Sequence, residues 1–136
     1  MEQLPTVQGL LQIDHVGTSG YGLFVAGHFI AELESFSVLI SSALPAADSV
    51  QYVLVKIATG GGSCPHLYRL VDLTPGRNPY LTGEFGNCSA VPVFRMDGET
   101  IAIDFSDFAK SKAQTFLYNP KRRHIVRFAQ TKGARK

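Results

Sequence analysis

Cysteine is scarce in this 136-residue chain, and the scarcity excludes a good deal. With only Cys64 and Cys88 and four scattered histidines, no C-x-x-C or H-x-x-x-H spacing can be drawn, so the usual zinc frameworks are absent and no metal or cofactor is expected. Uncharged apolar length is lacking too. The best candidate, GLFVAGHFIAELESFSVLI, is broken by His28, Glu32 and Glu34, whereas a spanning helix needs about 20 apolar residues. The N-terminus shows neither the basic start nor the apolar stretch of a secretory leader. Acid is missing from the C-terminal end: residues 119–136 hold Lys121, Arg122, Arg123, Arg127, Lys132, Arg135 and Lys136 and no Asp or Glu. No internal repeat or low-complexity tract interrupts the chain.

What is present is alternation. In SFSVLIS, Phe36, Val38 and Ile40 fall on one face; in ETIAIDF, Ile101, Ile103 and Phe105 oppose Thr100, Ala102 and Asp104; in RHIVRF, His124, Val126 and Phe128 oppose Arg123, Ile125 and Arg127. A period of two is the signature of a half-buried strand. VQYVLVKIA is apolar almost throughout, which places it inside a sheet covered on both sides. The reversals are of the same character. Asp97-Gly98 and Asn119-Pro120-Lys121 each separate two strand-like runs, and a DG pair favours the tight hairpin. The expected strands lie at about 10–15, 22–30, 35–41, 50–58, 67–73, 80–84, 92–96, 99–105, 114–118 and 123–128, with a short helix capped by Ser106 as the one α-helical alternative. The fold class is therefore all-β, an antiparallel sandwich or partly closed barrel of about 8–10 short strands, in one domain over 1–128 followed by a basic tail, 129–136, expected to be disordered.

The stretch GGGSCPHLYRLVDL, residues 60–73, admits three chemistries. A phosphate loop needs Lys and Ser or Thr after its last glycine, and a dinucleotide fingerprint needs a helix there; GGGSCP runs instead into a proline and a strand. A nucleophilic Cys64 has His66 two residues away, and His15 with Asp14 elsewhere, but no cysteine-hydrolase signature surrounds it. A disulfide between Cys64 and Cys88 accounts for more. Cys64 precedes the strand LYRLVDL and Cys88 follows LTGEF, so an antiparallel hairpin of the two brings its open ends together. Closing that loop is worth about 3–4 kcal/mol in chain entropy and points to an oxidising compartment. Gly60, Gly61 and Gly62 then serve the turn beside the bridge.

The same residues carry a resemblance. Gly61, Gly62, Cys64, Pro65, Tyr68 and Arg69, followed by Phe85, Gly86, Cys88 and Ser89, resemble a group of small exported proteobacterial proteins of unassigned function with the pattern GGxxCPxxYR and FGxCS. The likeness extends in outline over about residues 53–128. It implies periplasmic residence and paired cysteines, and it brings no catalytic residues. The absent leader departs from it and is attributed to truncation ahead of an added Met1.

Two further places invite binding. SGYG, residues 19–22, is a glycine-flanked loop in which Ser19 and Tyr21 are candidate contacts for a partner, against the commoner reading of a plain reversal. KRRHIVRF sets Arg123 and Arg127 on one strand face, as candidate contacts for an acidic partner or anionic surface; charges that discourage edge pairing explain the same residues. Nucleic acid is disfavoured, because no aromatic ladder alternates with these charges. The expectation is a non-enzymatic periplasmic protein that binds another protein of the envelope, as inhibitor, immunity protein or accessory. Its rivals are a hydrolase using Cys64 with a nearby histidine, and a basic end that binds nucleic acid or an anionic surface.

Overall fold

The computed structural model describes residues 2–17, 20–34, 37–45, 49–89, 92–108 and 112–129. Within them the chain forms twelve strands and no helix: β1 (Glu2–Thr6), β2 (Gly9–Val16), β3 (Gly20–Val25), β4 (His28–Glu34), β5 (Ser37–Leu44), β6 (Tyr52–Ala58), β7 (His66–Asp72), β8 (Tyr80–Leu81), β9 (Val93–Asp97), β10 (Thr100–Phe105), β11 (Gln114–Asn119) and β12 (His124–Ala129). They make three antiparallel sheets of four, each from consecutive strands: β1 to β4, β5 to β8 and β9 to β12. Among the described residues no sheet closes on itself, so the all-β expectation is met by three open antiparallel sheets and not by a closed barrel.

The second sheet lies between the other two, and the composition of β6 is the reason. Val53, Val55 and Ile57 point one way, into a core with Leu11, Ile13, Leu23, Val25 and Leu33 of the first sheet. Tyr52 and Leu54 point the other way and, with Tyr68 and Leu70 of β7, meet Ile101, Ile103, Phe105, Phe116 and Tyr118 of the third. A strand apolar on both faces has nowhere else to go, since each fully buried Val, Leu, Ile or Phe gains about 1.5–3 kcal/mol over exposure. The second core is largely aromatic, with Phe105 edge-on to Phe116 at 5.6 Å and to Phe85 at 6.2 Å.

Several boundaries differ from expectation. The segment 22–30 is not one strand: Ala26 and Gly27 take φ of 51° and 81°, the paired positive values of a tight hairpin, and divide it into β3 and β4. β1, with Pro5 in it, is an additional edge strand, the place where a missing N–H costs no ladder bond. The segment 80–84 pairs only at Tyr80–Leu81, leaves the ladder, and returns as a single bridge between Phe85 and Tyr68. The hairpins at Gly98 and at Pro120 form as read from the sequence. Residues 106–108 and 112–113 are not helical, and 109–111 lie outside the described residues.

One connection holds all three layers. The loop 73–79 between β7 and β8 receives Gln8 of the β1–β2 turn, whose Nε2 donates to the carbonyls of Thr74 (3.0 Å) and Arg77 (3.1 Å). On its other side Arg77 donates to the Pro120 carbonyl at 2.7 Å. Beneath it, Asp72 is wholly buried and its carboxylate accepts from Thr74 N, Thr74 Oγ1 and the Tyr118 hydroxyl, the last at 2.6 Å.

Candidate functional site

Cys64 and Cys88 form a disulfide, with their Cα atoms 4.8 Å apart. The hairpin argument holds: β7 and β8 run antiparallel, Phe85 bridges Tyr68, and the cysteines sit at the open end. Several residues around the bridge have structural tasks. Gly60 takes φ +82° as the chain leaves β6, and the Pro65 carbonyl accepts from Thr59 N. Tyr68 is fully buried, and burial pushes its phenol up to about 12. Arg69 Nε donates to the Thr82 carbonyl at 2.7 Å, clasping the two strands. Phe85 enters the aromatic core, and Gly86 at φ +130° lies where a Cβ would press within 3.4 Å of Phe105. Asn87 Nδ2 donates to the Ser106 and Lys112 carbonyls, fastening the bridge to the third sheet, and its Oδ1 accepts from Ser89 N. His66, beside the bridge, has its pKa lowered, first by burial and then by Lys56.

A different place offers an opening. At one end of the first core, between β1, β2 and β3 on one side and β5 on the other, lies a half-open cleft of about 220 Å³ lined by Glu2, Ile13, Asp14, His15, Tyr21, Ser37, Val38 and Leu39. Alternation builds it. Leu11 and Ile13 face the core, so His15 continues the same face beyond the end of the packing, and its cross-strand partner is Tyr21. The two rings lie against each other at a tilt of 33°, with centroids 4.6 Å apart. Glu2 shares the face of Leu4, which packs on the same core, and its Oε1 accepts from Ile40 N of β5 at 2.8 Å. The carboxylate thereby occupies an edge donor of the second sheet and is held at the cleft wall. Asp14 Oδ1 accepts from His15 N at 2.9 Å. Val38 and Ile13 are buried, while Leu39 is 47% exposed.

Of the candidate partner-binding residues, Tyr21 thus lies in this cleft, and Ser19 lies outside the described residues. Arg123 and Arg127 do not form the expected pair on one strand. Arg123 sits in the turn before β12 at φ +53°, its Nη2 donating to the Asn78 carbonyl at 2.6 Å and its guanidinium 5.2 Å from the centre of the Tyr80 ring. That is a brace between the second and third sheets. Arg127 is exposed on β12, on the face whose other member, Ile125, packs on the aromatic core. Glu2 is not legible in the sequence because EQLPT has few apolar residues to mark a strand period, and the joining of His15 to Tyr21 is not because the glycines of HVGTSGYG read as a loop, whereas β3 begins at Gly20 and Tyr21 is a strand residue. The alternation Glu2, Leu4, Thr6 is the signal that places Glu2 on the inner face.

Among the described residues no group of three or more His, Cys, Asp or Glu is disposed to hold a metal ion, and no helix is long and apolar enough to cross a membrane. Compared with protein-family models, with curated proteins and with solved structures, the chain matches none.

Proposed function

We propose that this protein acts by binding another protein, without catalysis, and that the cleft between the first and second sheets is where it does so. The observation that carries the reading is the pairing of His15 with Tyr21 at an open end of the core, above the buried Ile13 and Val38. An aromatic pair over an apolar floor is the kind of surface that anchors protein interfaces. The sulfur chemistry of the chain supports it from the other side. Cys64 is joined to Cys88, a bridged sulfur is not a nucleophile, and His15 is engaged with Tyr21 in the first sheet. A hydrolase using Cys64 is correspondingly disfavoured. A disulfide fits an oxidising compartment, and together with the resemblance to exported proteins this supports the periplasm as the site of action. At the basic end, Arg123 is committed to Asn78 and Tyr80, which leaves less for nucleic acid.

The test is affinity capture from envelope extract with the intact protein and with Tyr21→Ala, followed by titration of the purified, identified partner. The expected outcome is a direct complex that Tyr21→Ala weakens about tenfold or more, as hot-spot aromatics do. A partner held equally by both proteins, or hydrolytic turnover that disappears on Cys64→Ala, would overturn the reading.

A further inference from the structure

We propose that the cleft receives a lysine or arginine side chain from a basic partner; this rests on the reading of the cleft as the binding surface. Three observations converge on a single cationic side chain. The first is size: about 220 Å³ is below the range of roughly 300–1,000 Å³ in which small-molecule sites fall, and suits one side chain entering from a surface.

The second is the lining. Glu2 presents a carboxylate already oriented by its bond from Ile40 N, so little ordering is left to be done on binding. The Tyr21 ring, set against His15, stands on the same inner face, and the face of a tyrosine ring attracts a cation. Val38 and Ile13, both buried in the first core, give the aliphatic stem of a long basic side chain an apolar floor.

The third is the charge of the layer. Residues 1–55 contain Glu2, Asp14, Glu32, Glu34 and Asp48 and not one lysine or arginine. The first basic residue, Lys56, alternates with Val55 and Ile57 of the first core and so stands on the opposite face of the middle sheet. The whole first sheet is therefore free of lysine and arginine. A one-signed surface of this kind draws in the opposite charge and repels an acidic partner.

The experiment uses the ¹⁵N-labelled full chain titrated with the blocked pentapeptide Gly-Leu-Arg-Leu-Gly and with its citrulline isostere, which keeps shape and removes charge. The expected result is that the arginine peptide shifts the amides of Asp14 to Val16, of Gly20 and Tyr21 and of Ser37 to Ile40. It should bind about fivefold or more tightly than the citrulline peptide, a margin that narrows at high salt. Glu2→Gln, whose amide oxygen still accepts from Ile40 N, is expected to remove the margin, and Tyr21→Phe to retain it. Equal binding of the two peptides by the unaltered chain, or shifts confined elsewhere, would overturn the proposal. So would self-association in sedimentation that vanishes on deleting residues 130–136, which would make the basic end of a second copy the occupant. If the natural partner is lost on Tyr21→Ala while the peptides bind alike, the cleft stands as the interface and the cationic assignment alone falls. A natural partner unaffected by Tyr21→Ala removes both.

Discussion

Tyr118 and Asp72 show how much rests on a single buried contact. The phenol is fully buried and donates to a carboxylate that has no exposure to water, and burial together with that carboxylate drives the Tyr118 pKa far upward. Tyr118→Phe keeps the ring and leaves Asp72 one donor short. A cost of about 1–3 kcal/mol is expected in urea denaturation, with an unchanged slope; a midpoint equal to that of the unaltered protein would show the contact to be dispensable. On the outer face of the third sheet Asp104 behaves differently. Partial burial acts to raise its pKa, but hydrogen bonds from Arg95 (2.7 Å) and Thr115 (2.7 Å) outweigh it and the net shift is downward. Because the folded value lies below the unfolded one, the stabilisation is complete above pH about 4 and is lost as pH falls through the folded value. Arg95 is about half exposed, so the pair is worth about 1 kcal/mol or less. The stability gap between the unaltered protein and Asp104→Asn should therefore narrow below pH about 4. A gap that stays constant down to pH about 2 would contradict the assignment.

Among the elements, the β7–β8 hairpin was the most legible in sequence, because the two cysteines flank a pair of strand-like runs whose antiparallel pairing brings them together. Replacing both cysteines with alanine is expected to cost about 3 kcal/mol, since the reduced unfolded chain regains the freedom of the closed loop; a loss under about 1 kcal/mol would mean that Arg69, Phe85 and Asn87 hold the hairpin unaided. β12 was less legible. RHIVRF alternates cleanly but has an apolar residue on each face, so the period cannot say which face is inward. Packing decides it: Ile125 joins the aromatic core and Val126 is left 41% exposed. Ile125→Ala should accordingly destabilise by about 2 kcal/mol or more and Val126→Ala by about 0.5 kcal/mol or less, and the reverse order in thermal or urea unfolding would place the strand the other way round. β1 escaped notice because EQLPT carries a proline and few apolar residues, and with it went Glu2 and hence the cleft. A site made where two sheets end depends on which strands are neighbours, and period alone does not carry that.

For the whole molecule, the order of layers follows the order of the chain: first, middle and last thirds give the outer, central and opposite outer sheets. The continuous apolar run of β6 was the sequence feature that foretold a sheet covered on both faces, although not that three sheets would stack. Amides of β6 and β7 should exchange slowest with solvent and those of the edge strand β1 among the fastest, because the former are paired on both sides and covered on both faces. Charge is layered as well, with the first sheet free of lysine and arginine and the C-terminal end free of acid. Recognition is proposed for the first sheet, while the disulfide closes the open end of the β7–β8 hairpin. The most direct test of that proposal is hydrogen exchange of the chain alone and in complex with a partner purified by the capture from envelope extract. Protection gathered at residues 11–16, 20–23 and 37–40, with the Cys64–Cys88 hairpin and β12 unchanged, is the expected result. Protection at the hairpin or along β12, with the cleft exchanging as in the free chain, would contradict it.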